Sequence, residues 1–245
     1  MVGKLINLNI LVEFREKNMG FKFESEMTRP VEDWLISQGL QVKREYPTSW
    51  GICDLVGCSL NKTKVRKRLR LGQRRPIGSQ FRILLLSYIP DIEEQEVASF
   101  SGLCKHFGDL LDGSYLEKEL SRLIKDKFVQ EVRPGFFQKL NGWIPLHKRI
   151  IAVELKLERI SKVLTQAKSN LVFADESYVG LPIEKAKALF AVRCEKKLIA
   201  KGIGILAVRR KEVRVLLRPG FNGDSDRIFK MHCAERFWRT YPKDT

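Results

Sequence analysis

At 245 residues the chain is long enough to bury a core, either as one large domain or as two small ones. Its 44% hydrophobic and 30% charged residues are typical of a soluble globular protein, and no apolar run approaches the length that crosses a bilayer, so we expect no membrane association. The net charge of +16 predicts a polyanionic partner, with nucleic acid as the first candidate, and a merely basic protein without such a partner as the alternative.

The first residues and the cysteines predict a cytoplasmic location. The opening stretch has a short apolar run broken by Glu13 and no small-residue cleavage site, so we expect no secretory signal. The five cysteines are odd in number, scattered, and without a CxxC pair. This arrangement predicts reduced thiols rather than a disulfide framework or a zinc site.

A helix and two strands are predicted near the N-terminus. In ESEMTRPVEDWLISQGL, apolar residues such as Met27, Val31 and Leu35 recur at helical spacing. LQVKREYP and GICDLVGCSL then predict two strands joined at TSWG. The next stretch, NKTKVRKRLRLGQRRPIGSQ, contains two Gly and a Pro and predicts a linker over residues 61–80.

Positive charge is concentrated in this predicted linker. No acidic residue lies between Asp54 and Asp91. A phosphate backbone would neutralise such a cluster with release of counterions, which makes binding steeply dependent on salt. We therefore predict nucleic-acid contacts from Lys62, Lys64, Arg66, Lys67, Arg68, Arg70, Arg74 and Arg75.

Residues 81–145 predict a small helical module. FRILLLSYI, EEQEVASFSGLCKHF and SYLEKELSRLIKDKF give three helical patterns, and VQEVRPGFFQKLNGWIPL gives two short alternating segments about the turn RPG. Three helices followed by a hairpin is the order of a winged helix, a helix-turn-helix variant that reads the major groove. The third helix (115–128) would be the reader and the hairpin (133–139) the wing. DNA contacts are predicted from Arg122, Lys125 and Arg133, and a protein-binding role of the same module is the alternative.

The remainder of the chain alternates between strands and helices. RIIAVELKL predicts a strand, SKVLTQAKSNLVFAD a helix, SYVGLP a strand, IEKAKALFAVRCEKKLIAKG a helix, IGILAVRRKEVRVLLRP two strands, and DSDRIFKMHCAERFWRTY a helix. This alternation predicts an α/β fold with a central mixed sheet flanked by helices. The predicted organisation is a discontinuous core over residues 1–60 and 146–245, interrupted by the linker and the module.

Three charged residues interrupt the predicted apolar strands. Glu154 and Lys156 lie two apart in IIAVELKLER and therefore share a face of the strand, and Asp54 interrupts GICDLVG. If the two strands are neighbours, Asp54 and Glu154 can converge on Mg²⁺, which prefers oxygen ligands. Lys156 would then orient or deprotonate an attacking water, or stabilise charge on a phosphate. The alternative is a buried Glu–Lys ion pair without a catalytic role.

GICDLVG and IIAVELK, with a preceding helix and a following Gln-bearing helix, resemble the PD-(D/E)xK phosphodiesterase superfamily, whose fold is restriction-endonuclease-like. ESEMTRPVEDWLISQGLQVKREY, CDLVG, AVELK and LTQAKSNLVFADESYVGLP resemble, more narrowly, an uncharacterised bacterial family of that superfamily. The resemblance covers residues 24–60 and 148–218. The inserted module departs from the compact pattern of that family.

The resemblance implies roles for individual residues. Asp54 and Glu154 would bind Mg²⁺, with Mn²⁺ as a substitute, and Lys156 would be the catalytic lysine. Glu24, with Glu26 as the alternative, would match an acidic residue that adds a metal or water contact. Gln166 would lie on the helix beside the site, or else face solvent.

The activity that the resemblance implies is that of a metal-dependent DNA endonuclease, in defence or DNA processing. It also implies a homodimer, because many nucleases of this fold cut both strands as dimers. Two alternatives stay open. One is a non-catalytic DNA-binding regulator that retains the nuclease fold, and the other is a structural protein whose inserted module binds another protein.

Overall fold

The structure is a computed structural model and describes residues 20–108, 112–140, 145–191, 202–220, 222 and 225–238. These residues form two β-sheets with helices packed around them. The helices are α1 (Thr28–Ser37), α2 (Lys62–Arg70), α3 (Gln80–Tyr88), α4 (Phe100–Phe107), α5 (Gly113–Lys125), α6 (Ile160–Asn170), α7 (Ile183–Leu189) and α8 (Arg227–Trp238). Short 3-10 turns cover Glu24–Met27 and Ile92–Glu94. Across these described ranges, none of the helices has the length and apolar composition that a membrane crossing requires.

The larger sheet has six strands in the order β1-β2-β6-β7-β8-β9. They are β1 (Gln41–Thr48), β2 (Gly51–Leu60), β6 (His147–Leu155), β7 (Glu176–Pro182), β8 (Ile203–Arg209) and β9 (Glu212–Leu217). Strands β6, β7 and β8 are parallel to one another, and the remaining neighbours are antiparallel. The prediction of an α/β fold with a mixed central sheet flanked by helices is therefore confirmed.

Both faces of the larger sheet are covered. On one face, Val31 and Leu35 of α1 are fully buried against Leu55 and Val153, in keeping with their helical spacing. Helices α6 and α7 cover β7 and β8 on the other side, and α8 places Phe237 in a second cluster with strands β2 and β6. Because β6 is buried on both faces, its sequence is a nearly continuous apolar run, in which a charged residue is costly.

The smaller sheet lies within residues 81–145, the predicted inserted module, which is called the inserted segment below. Its strands are β3 (Ala98–Ser99), β4 (Val129–Arg133) and β5 (Phe136–Lys139), in the order β3-β5-β4. Helices α3, α4 and α5 pack on it around a shared apolar core. The first and third predicted helices and the hairpin are present. The second helix covers only Phe100–Phe107 of the predicted residues 93–107, because a 3-10 turn and the strand β3 come before it. Helix α5 begins and ends slightly earlier than predicted, and β3 is an additional short strand.

The first half of the predicted linker is a helix, so that part of the prediction is wrong. The side chain of Asn61 caps α2 by accepting hydrogen bonds from the backbone N–H groups of Thr63 and Lys64, at 3.1 and 3.2 Å. The residues that break helices, Gly72, Pro76 and Gly78, all follow the end of α2. The sequence of α2 resembles a linker because it is so rich in charged residues, yet it forms a capped helix with one buried edge.

Arg68 lies on that buried edge and is fully buried. Its guanidinium binds both carboxylate oxygens of Glu235 in α8 and lies over the rings of Phe128 and Trp238, at 4.8 and 5.1 Å. Glu235 also accepts a hydrogen bond from the backbone N–H of Ile77 at 2.7 Å. The predicted phosphate contact of Arg68 is therefore corrected, because this side chain instead ties α2 and the inserted segment to α8.

Some predicted features lie outside the described residues. The predicted helix over residues 183–202 is described from Ile183 as α7, and its continuation over residues 192–201 is not described. Residues 1–19 of the predicted core and residues 239–245 after α8 also lie outside the described residues.

Candidate active site

Strand pairing brings Asp54 and Glu154 together. In the antiparallel pair of β2 and β6, Leu55 lies opposite Val153, and the same register continued by one residue places Asp54 opposite Glu154. Directly opposed residues project from the same face of a sheet. The Asp54 carboxylate also accepts a hydrogen bond of 2.7 Å from the backbone N–H of Leu155. The two strands are thus neighbours, as the convergence of these carboxylates requires.

Glu154 is 2% exposed and is held by Asn170, the last residue of α6. The Asn170 side-chain amide donates to the Glu154 carboxylate at 2.6 Å and to the Cys53 sulfur at 3.4 Å. The Asn170 side-chain oxygen in turn accepts from the indole N–H of Trp50 at 3.3 Å. These three contacts orient the amide, so Glu154 receives a donor and not a second acceptor.

The surroundings raise the pKa of both carboxyl groups. The pKa of Glu154 is raised to about 7, mainly by burial and also by the negative charge of Asp54, while the hydrogen bond from Asn170 opposes the rise. Burial also raises the pKa of Asp54, against the effects of the Leu155 N–H and of the Lys156 charge. Two carboxylates so placed are costly to ionise together unless a cation joins them.

Lys156 follows β6 directly and is held by Glu24. The Lys156 ammonium lies 2.5 Å from the Glu24 carboxylate, whose other oxygen accepts from the backbone N–H of Leu157 at 3.2 Å. The Lys156 charge lowers the pKa of Asp54 and of Glu154, so the ammonium acts on both carboxylates. Its ion-pair partner is thus Glu24, and not Glu154 as in the alternative drawn from the sequence.

The structure separates Glu24 from its alternative, Glu26. The Glu26 carboxylate accepts from the backbone N–H of Lys22 at 2.8 Å and pairs with Arg210 at 3.5 Å. Neither Lys22 nor Arg210 is among the described contacts of Asp54, Glu154 or Lys156. Of the two glutamates, Glu24 is the one that contacts the candidate site.

Gln166 lies on the site-facing side of α6. It precedes Asn170 by four residues, which places both side chains on one face of the helix. The Gln166 side-chain oxygen is buried, and among the described residues it has no hydrogen-bond partner. A buried acceptor without a partner is unusual in a folded protein and is available to a donor from a ligand. The Gln166 side-chain oxygen therefore does not face solvent, as the alternative drawn from the sequence would have it.

Sequence reasoning missed Asn170 and Trp50. Asn170 follows Gln166 at helical spacing in LTQAKSN, and this spacing was the one signal that could have identified it. Trp50 lies in the β1–β2 turn, 104 residues from Glu154 by number (154 − 50), and reaches the site only through Asn170. No local pattern marks a residue that acts across such a distance.

The carboxylate pair fits a hard cation. Mg²⁺ is bound in proteins through one or two carboxylates, with waters and substrate phosphate oxygens completing its shell. Asp54 and Glu154 supply that donor set, and burial, which raises the pKa of both groups, marks a place where a cation would offset the cost of ionising them. In the part of the chain that the structure describes, no group of three or more His, Cys, Asp or Glu side chains is arranged to hold a metal.

The predicted nucleic-acid contacts are mostly at the surface. The side chains that are exposed are those of Lys62, Arg66, Lys67, Arg70, Arg74, Arg75, Arg122, Lys125 and Arg133. Lys64 is half-buried, and Arg68 is buried. Arg75 lies 3.7 Å from Asp126, Arg122 pairs with Glu119, and the Arg133 guanidinium lies 3.9 Å from the centre of the Phe136 ring.

Comparison of the chain with models of protein families, with curated proteins and with solved structures gives no match. The carboxylate pair, the lysine beside it and the basic surface are therefore what bears on function.

Proposed function

We propose that this protein is a metal-dependent phosphodiesterase that cleaves DNA. The observation that carries the proposal is the meeting of Asp54 and Glu154 across two adjacent strands, with Lys156 directly after the second strand. Hydrolysis of a phosphodiester requires neutralised phosphate charge and an activated water. Two carboxylates and a lysine at the end of a strand supply groups for both needs.

Asp54 and Glu154 would hold Mg²⁺, which lowers the pKa of a bound water and neutralises phosphate charge when it is present. The protein's own groups supply the rest. Asn170 holds the Glu154 carboxylate in place through its 2.6 Å hydrogen bond. Glu24 holds the Lys156 ammonium beside the carboxylates, where it stabilises negative charge that develops on a phosphate oxygen.

DNA as the substrate is supported by charge and by the inserted segment. The net charge is +16, and α2 presents Lys62, Arg66 and Arg70 at its surface. Among the described residues, no carboxylate lies within ion-pair distance of these three. The order of α3, β3, α4, α5 and a β4–β5 hairpin, with a three-stranded sheet, supports the proposal that this segment is a winged helix. The proposed role of this segment is to position duplex DNA.

A cleavage screen tests the proposal. Single-stranded, duplex, branched and modified DNA would be incubated with the protein and with Mg²⁺ or Mn²⁺. We expect cleavage by the unaltered protein and a loss of at least about a hundredfold in Asp54→Asn and in Lys156→Ala. Asp33→Asn is the matched control, because Asp33 is an exposed acid that pairs only with Arg29 on α1 among the described residues.

Binding separates the outcomes. Both site variants should still bind DNA, since the basic surface is unchanged. Binding with a steep salt dependence but without cleavage of any DNA form would replace the nuclease by a DNA-binding regulator that retains the fold. Absence of both would favour a protein-binding role of the inserted segment. Sedimentation at several protein concentrations tests the homodimer that the resemblance implies.

A further inference from the structure

A pocket of about 190 Å³ is lined in part by Trp50, whose indole N–H binds Asn170, the residue that holds Glu154. Its walls include the rings of Tyr46, Trp50, Phe173 and Phe229, together with Arg236 of α8. Gln80, at the start of α3, also lines it, so the pocket lies where the larger sheet meets the inserted segment. Neither the carboxylate pair nor Lys156 lines this space.

Trp50 presents an aromatic surface that is exposed yet held in place. It is 39% exposed, and its ring lies 6.2 Å from that of Phe173 and 6.0 Å from that of Phe229. Its indole N–H is bound to Asn170, and its backbone N–H to the Thr48 hydroxyl at 3.3 Å. A ring fixed in this way loses little freedom when a second ring stacks on it.

Arg236 places a positive charge at the same pocket. Its guanidinium lies 3.8 Å from the centre of the Tyr46 ring and donates to the backbone carbonyl of Pro47 at 2.7 Å. Across the described ranges it has no carboxylate partner. An aromatic surface next to an unneutralised cation matches a nucleotide, which carries a flat base and a negative phosphate.

A short chain of hydrogen bonds links this pocket to the proposed catalytic carboxylate. Trp50 donates to Asn170 at 3.3 Å, and Asn170 donates to Glu154 at 2.6 Å. A base stacked on Trp50 would therefore lie one side chain away from the residue that holds Glu154. Two side chains, Trp50 and Asn170, thus connect the pocket to the Glu154 carboxylate.

We propose that this pocket receives one unpaired base of the DNA strand that is cut. Bases inside a duplex are covered on both faces by their neighbours, so only an extrahelical or single-stranded base can stack on Trp50. The inference rests on the proposed function and deepens it. It assigns the substrate to the class of DNA that contains an unpaired base.

The test measures binding and does not need cleavage. A fluorescent duplex with one extra adenine, the same duplex with an abasic residue at that place, and the fully paired duplex are titrated with protein in EDTA. We expect the extra adenine to tighten binding about tenfold, and the abasic residue to remove this gain. This comparison uses the unaltered protein, so it does not depend on whether a variant folds.

Variants then assign the gain to the ring. Trp50→Phe keeps an aromatic face without the N–H to Asn170 and should keep most of the gain, whereas Trp50→Leu should lose it. Tyr88→Leu is the matched control, because Tyr88 is an exposed aromatic residue on α3 away from the pocket. Loss of the gain in Trp50→Phe would mean that the effect runs through Asn170, which would overturn stacking.

Two further outcomes would overturn the inference. One is equal affinity for the paired and the extra-base duplex. The other is quenching of tryptophan fluorescence by free dAMP that is lost in Trp50→Phe and occurs at the concentrations at which the oligonucleotide acts, which would make the pocket a site for free nucleotides. If the extra base tightens binding while no DNA form is cleaved with Mg²⁺, the pocket stands and the nuclease proposal fails.

Discussion

Replacing Glu154 by Gln should stabilise the metal-free protein at high pH. The pKa of Glu154 is about 7, compared with 4.5 for a free glutamate, a difference that corresponds to about 3 kcal/mol once the carboxyl is ionised. Glu154 is 2% exposed, so solvent screens little of this cost. Gln keeps the shape and the acceptor for Asn170 but carries no charge.

The sign of the pH dependence follows from the raised pKa. A carboxyl whose pKa is higher in the folded state contributes stability below about pH 4.5, and this contribution is lost as the pH rises through about 7. Glu154→Gln has no such loss. The difference in unfolding free energy between the variant and the unaltered protein should grow by about 2–3 kcal/mol between about pH 5 and pH 8.

Urea unfolding followed by circular dichroism at each pH measures this difference. Glu158→Gln is the matched control, since Glu158 is exposed, and its effect should stay within about 0.5 kcal/mol at every pH. Addition of Mg²⁺ at the higher pH should stabilise the unaltered protein and not Glu154→Gln. A difference that does not change with pH would refute the raised pKa of Glu154 and the burial that is its main cause.

The other predictions concern helix α2, which the sequence analysis interpreted as a linker. Arg68→Ala should destabilise the protein by about 3–5 kcal/mol, because it leaves the buried Glu235 carboxylate without its charged partner. Arg70 is an exposed neighbour on the same helix, and Arg70→Ala should change stability by less than about 0.5 kcal/mol. Thermal or urea unfolding measures both effects. An equal effect of the two would contradict the burial of Arg68. Lys62→Gln and Arg66→Gln should each reduce the slope of log affinity for DNA against log salt by about 1, measured by fluorescence anisotropy, and an unchanged slope would remove α2 from the DNA surface.

The elements were largely readable from the sequence, and the exception has a physical cause. Strands β2 and β6 follow from their short apolar runs, because both are buried on two faces, and helix α6 follows from the helical spacing of its buried residues. Helix α2 does not, since its charges and the breakers that follow it resemble a linker. Its buried edge consists of Val65 and Arg68, and an arginine is a poor indicator of a core.

The sequence by itself determined that Asp54, Glu154 and Lys156 needed an explanation, because charges inside apolar strands are expensive wherever the strands pack. Only the tertiary structure decided their partners. In the tertiary structure β2 pairs with β6, and Lys156 forms its ion pair with Glu24 and not with Glu26. Asn170 binds Glu154 by a hydrogen bond, and Trp50 binds Asn170. The reason is that spacing along a chain sets which face a side chain occupies, whereas contacts between distant residues depend on strand register and helix packing.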